Sequence, residues 1–154
     1  MGGLYVSPKM KAQSWFTSSD SSSEKIEKLR SIYSKISDDG FFDFYGSYSE
    51  AEADLGGFVE LINNSIDCIV FDSLEELLNR DADDEFYSMY PNTMIFASDS
   101  GSHLIGYDLR SDSDNSIILF PRDNEEFFSE MDVLASSMIQ LLDLLGHPHK
   151  TKSG

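Results

Sequence analysis

The chain of 154 residues contains one cysteine, three histidines, four prolines and one tryptophan. A single cysteine excludes an internal disulfide framework and any cysteine-rich zinc site. Cys68 lies in an apolar run, 66–71, and reads as a buried thiol. No stretch approaches the roughly 20 apolar residues needed to cross a bilayer. The first residues lack the apolar core of a secretory signal, and Val6 stands where a myristoylation pattern wants Ser or Thr. Asn63-Asn64-Ser65 spells a glycosylation acceptor, which carries no weight without such a signal. The cytosol is the expected location.

Positive charge is also scarce. The net charge is −17, and between residues 36 and 149 only Arg80, Arg110 and Arg122 face 25 of the 28 carboxylates. Such a surface repels nucleic acid and anionic lipid, so neither is an expected partner. A basic partner would be drawn in, mainly through a faster encounter. What the chain does have is 40% hydrophobic and 12% aromatic content, enough for one folded domain with a single core. Its organisation reads as a poorly ordered lead-in over 1–23, one domain over 24–146 and a flexible tail over 147–154. Trp15-Phe16, two large aromatics in a polar arm, is expected to dock on the body or on a neighbouring chain. A monomer or weak homodimer is expected.

Periodicity supplies the elements. Ser21 and Glu24 form a capping box, after which Ile26, Leu29, Ile32, Tyr33 and Ile36 make one helical stripe ended by Asp38-Asp39-Gly40. The aromatic run 41–45 fits either a strand or a buried helical turn. Residues 49–55 are polar and acidic, and Gly56-Gly57 is a break. Strands are predicted over 58–62 and 66–71, joined by Asn63-Asn64-Ser65. Ser73 with Glu76 opens a short helix that buries Leu74, Leu77 and Leu78. Residues 94–97 and 104–109 form a hairpin whose turn, Asp99-Ser100-Gly101-Ser102, depends on its glycine. A further strand over 117–120 stops at Pro121, and Asn124 caps a short turn carrying Phe127 and Phe128. Met131, Leu134, Ala135, Met138, Leu141, Leu142 and Leu145 then lie on one face of a closing helix that Gly146 ends. The order gives an α+β fold, an antiparallel sheet of about four to six strands flanked by N-terminal and C-terminal helices.

The hairpin has specific wording. Phe96-Ala97-Ser98-Asp99, Gly101 and Tyr107-Asp108 resemble the central hairpin of the SUKH superfamily, which contains bacterial toxin-immunity proteins and fungal cell-wall-synthesis regulators. Residues 66–77 are similar to that family's strand and Ser-Leu-Glu-Glu-Leu helix start. Tyr90-Pro91, 117–121 and 134–145 are similar to its later segments, so the resemblance spans roughly 57–145. The chain departs from the pattern in keeping one turn glycine and in lacking the usual Leu-Pro start and Asn-Gly-Gly segment. The resemblance implies a protein-binding module, foremost an immunity protein that neutralises a cognate toxin by direct association. Many such toxins are nucleases, which are commonly basic, and the acidic charge would complement one. The alternative it implies is a regulatory protein of the cell-wall-synthesis type. Candidate partner-binding residues are Asp81, Asp83, Asp84, Glu85, Asp112 and Asp114 in two acidic loops, with Asp99 and His103 at the hairpin turn. Gly101 and Asp108 are expected to shape the hairpin.

Catalytic sets are thin. His103 could act as a base oriented by Asp99 or Asp108, but a turn histidine is more often solvated. A Cys68–His103 pair is weaker still. His147 and His149 lie in the tail. The acidic runs 81–84 and 112–115 lack the central glycine and final glutamate of a calcium loop. No enzyme activity, cofactor or metal is expected.

Overall fold

In the computed structural model the described residues are 15–18, 23–80, 90–99, 101–110, 114–122 and 126–145. They form a seven-stranded antiparallel sheet in which every strand pairs with its neighbours in sequence. The strands are β1 (Trp15–Ser18), β2 (Tyr48–Glu60), β3 (Ser65–Phe71), β4 (Thr93–Ser98), β5 (His103–Asp108), β6 (Ile117–Pro121) and β7 (Asp132–Ala135). Four helices accompany them, α1 (Ser23–Ile32), α2 (Asp39–Ser47), α3 (Leu74–Leu78) and α4 (Met138–Leu145), with a 3-10 turn at Phe127–Glu130. The α+β architecture is as expected. The sheet exceeds six strands because Trp15–Ser18, inside the segment read as lead-in, pairs with β2, Phe16 opposite Ala51.

Two halves of the sheet differ in how they are covered. In β4, β5 and β6 alternate residues enter two separate cores. Met94, Phe96, Ile105, Tyr107, Ile117 and Leu119 join the main core with the helices. Ile95, Leu104, Ile118 and Phe120 join Tyr90, Phe128 and Met131 on the other face. These strands therefore read as continuous apolar runs, as strands buried on both faces must. Among the described residues, β2 is covered on one face only. Ala51, Ala53 and Leu55 are buried, while Glu50, Glu52 and Asp54 alternate with them on the outer face.

That alternation overturns the reading of 49–55 as a polar segment, and β2 continues through Gly56-Gly57 with a register shift between Asp54 and Val59. The ambiguous aromatic run 41–45 is helical. Phe41, Phe42, Phe44 and Tyr45 are all buried on α2, and Phe41 meets Tyr45, Phe96 and Tyr107 edge-on at 5.2 to 5.6 Å. Such pairs add about 0.5–1.5 kcal/mol each beyond the area they bury. The predicted closing helix is two elements. Leu134 and Ala135 lie on β7, where Ala135 pairs with Ile117. The helix begins only after Ser137, whose Oγ accepts from Gln140 N at 3.1 Å. A hydroxyl cap with its own strand upstream outweighs the helical spacing of the apolar residues. Asn124, the expected cap of the short turn, lies outside the described residues.

Asp38 does not end a helix; it starts two. It is the N-cap of α2, and its Oδ1 accepts from Gly40 N at 3.1 Å. Its Oδ2 accepts from the Tyr107 hydroxyl and from Met138 N, the first residue of α4, both at 2.7 Å. One carboxylate thus ties two helix starts to the centre of the sheet.

Candidate functional site

The β4–β5 turn is built by Asp99. Its Oδ1 accepts from Gly101 N at 2.9 Å and His103 N at 3.0 Å. The carboxylate satisfies the backbone donors that a tight turn leaves over. Gly101 is not what the turn depends on, contrary to the sequence reading. Its φ lies outside the left-handed region, and a Cβ there would touch only Asp99 Oδ1 at 3.7 Å. The glycine the hairpin requires is Gly106, where a Cβ would stand 2.3 Å from the Met94 carbonyl oxygen. This close approach sits at the register shift between Ile95 and Ala97.

The side chains at this end of the sheet form one connected set. His103 Nδ1 is 2.8 Å from Asp99 Oδ2, and its Nε2 is 3.2 Å from Asn64 Oδ1. Asn64 Nδ2 donates to the Glu130 carbonyl and to Asp132 Oδ2, both at 2.8 Å. Asp132, 3% exposed, also accepts from Asn63 N at 2.9 and 3.1 Å. The Cys68 thiol donates to the Asp99 carbonyl at 3.3 Å. Cys68 is therefore half-buried, not enclosed in the core as its apolar run implied. Asp99, His103, Asn64 and Asp132 run from the β4–β5 turn across the β2–β3 turn to the start of β7. They hold together parts of the curled sheet that do not pair as strands. Both nitrogens of His103 are engaged, which suits a positioning bond more than a free catalytic base.

At the opposite end of β5, Asp108 is buried and grips Arg110 through Nε and Nη2 at 2.9 and 2.7 Å. The guanidinium lies 4.0 Å over the Phe128 ring. Asp114 follows this end and is exposed. The candidate residues Asp99 and His103 therefore sit at the opposite end of β5 from Asp114. Asp81, Asp83, Asp84, Glu85 and Asp112 lie outside the described residues. Asn64 and Asp132 escaped the sequence reading, Asn64 as turn punctuation and Asp132 inside a presumed helix. Asp38 escaped it as a helix stop.

The arginines of this acidic body are committed. Arg80 pairs with Asp72 at 2.8 Å and donates to the Ile95 carbonyl. Arg122 Nε donates to the Gly101 carbonyl at 2.9 Å. Burial pushes the Asp72 carboxyl up from the usual carboxylate range, and Arg80 opposes this only in part. Tyr45 and Tyr107 are also pushed up, first by burial and then by Asp72 and Asp38 respectively.

A curled antiparallel meander with helices over one face and an acidic outer half is the architecture of a small α+β domain built around its loops and turns. The model of the SMI1 / KNR4 family (SUKH-1) matches residues 16–144. The chain belongs to that family, and the match reaches well upstream of the segment where the resemblance is legible by eye. Comparisons with curated proteins and with solved structures find no match. Among the described residues no group of acidic, histidine and cysteine side chains is placed to hold a metal ion, and no helix is long and apolar enough to cross a membrane.

Proposed function

We propose that the chain is a non-catalytic binding module that acts by stoichiometric association with a basic protein, as an immunity protein does with its toxin. The observation that carries this reading is the one-sided charge of the β2 half of the sheet. On its outer side Glu50 and Glu60 are exposed and Glu52 and Asp54 half-buried, while Arg80, Arg110 and Arg122 are each bonded within the fold. Family membership supports the reading at the level of the superfamily. Charge so arranged raises the encounter rate with a basic partner and disfavours acidic ones.

The test is affinity capture from the native lysate at low and moderate salt, followed by reconstitution with the purified partner. A basic toxin domain bound one to one, released by salt and inhibited on binding, is the expected result. An endogenous envelope or signalling protein would instead assign the regulatory role. Absence of any saturable partner would remove the proposal.

A further inference from the structure

We propose that the partner docks on the outer face of β2 and the β2–β3 turn, through a basic segment carrying at least one apolar side chain. This rests on the binding-module reading and locates its interface. Phe58 and Ile62 are 67% and 75% exposed, where the other large apolar side chains among the described residues are mostly buried. Beyond the register shift Phe58 and Glu60 are exposed, while Val59 between them packs against the main core. Ile62 sits at the tip of the turn closed by the Leu61 N to Asn64 O bond of 2.8 Å. Val133, 38% exposed on β7, neighbours Asp132, which accepts from Asn63 N. Ile62 and Val133 thus flank one contact. The turn that carries Ile62 is thus fixed to β7 by the Asn63 and Asn64 bonds to Asp132, and Glu60 lies between Phe58 and Ile62 in the chain. A large exposed aromatic that loses its water on binding can serve as the anchor of an interface.

Charge decides the occupant. A second copy of the chain would bring a like charge of −17 to this acidic border, and an anionic lipid surface is repelled in the same way. A cationic strand or loop with one large apolar side chain satisfies both the border and the anchor.

The probe is a short peptide alternating lysine with leucine, titrated into the isotope-labelled full chain and read by backbone amide shifts. A lysine–serine peptide of equal charge is the comparison. Shifts should cluster on Tyr48–Glu60, the turn and β7, with the leucine peptide binding at least about tenfold more tightly. Phe58→Ser with Ile62→Ser should abolish that preference, and Ile139→Ser, at an exposed site on α4, should not. Glu52→Gln with Glu60→Gln should lower the association rate of both peptides. Shifts elsewhere, equal affinity for both peptides, an unaffected double serine variant, or self-association removed by that variant would each overturn the inference. Capture of the same lysate partner by the wild type and by the double serine variant would overturn the surface while leaving the binding-module reading intact.

Discussion

Asp38→Ala should be among the most damaging substitutions of a polar residue in this protein. The carboxylate does three jobs at once. It caps α2 through Gly40 N, receives the hydroxyl of the fully buried Tyr107, and receives the first amide of α4. Removing a helix cap costs about 0.5–2 kcal/mol, and leaving a buried hydroxyl without a partner costs about 1–3 kcal/mol. With the orphaned Met138 amide, the expected loss is about 4 kcal/mol. That is a large part of a domain stability of about 5–15 kcal/mol. Urea unfolding followed by far-UV circular dichroism should show the midpoint fall by about 2 M if the slope is about 2 kcal/mol/M. The decisive comparison is a double-mutant cycle with Tyr107→Phe. In the wild type that change removes a charge-assisted bond and should cost about 1–2 kcal/mol. In the Asp38→Ala background it removes an unsatisfied hydroxyl and should be neutral or stabilising. Asp39→Ala, which loses only an exposed pair with Arg30, should cost less than about 0.5 kcal/mol. A loss below about 1 kcal/mol for Asp38→Ala, or the same cost of Tyr107→Phe in both backgrounds, would refute the reasoning.

Gly106→Ala should cost about 3 kcal/mol, because the added Cβ meets backbone at 2.3 Å, while Gly101→Ala should stay within about 0.5 kcal/mol; thermal melts that reverse this order would show the close approach is relieved some other way. Asp132→Ala should cost about 2–3 kcal/mol and raise amide exchange at Asn63, since it strands that donor and removes one of the two Asn64 Nδ2 bonds; unchanged exchange would mean the turn is held without it. Because burial on folding raises the Asp72 carboxyl above the usual carboxylate range, this residue stabilises most in the acid range, and the contribution is lost as pH rises through the folded value. Asp72→Asn should therefore gain on the wild type from about pH 3 to neutrality, and a flat or opposite difference in unfolding free energy would contradict the burial argument.

The parts of the fold that were legible in the sequence are those written in a single period. The capping box at Ser73 and Glu76 is present with both bonds made, and the β4–β5 hairpin and the strand β6 fall where their apolar runs place them. Failures came where one pattern served two elements. Leu134 and Ala135 keep helical spacing with Met138 and Leu141, yet they belong to a strand paired with β6. Acidic residues on β2 hid a strand, since the alternating buried positions are small, Ala51 and Ala53. At the candidate site, the Asp99–His103 turn could be singled out from its composition. Its partners Asn64 and Asp132 lie 39 residues upstream of His103 and in a later strand, and no local signal links them. The role of Asp38 depends on residues 69 and 100 positions away, a distance that periodicity does not reach.

The meander order of the sheet has a consequence for how such a protein can change. No connection crosses over another strand, so each link between neighbours is independent of the rest. Doubling the length of one link costs only about 0.6 kcal/mol in closure entropy, and the register of the remaining pairs is untouched. A change in length between α3 and β4 or between β5 and β6 should therefore be tolerated where it spares anchored residues such as Arg80, Tyr90, Arg110 and Asn115. The β2–β3 link is held most directly, because Asn63 and Asn64 are bonded to β7 and its approach, and it should resist changes in length.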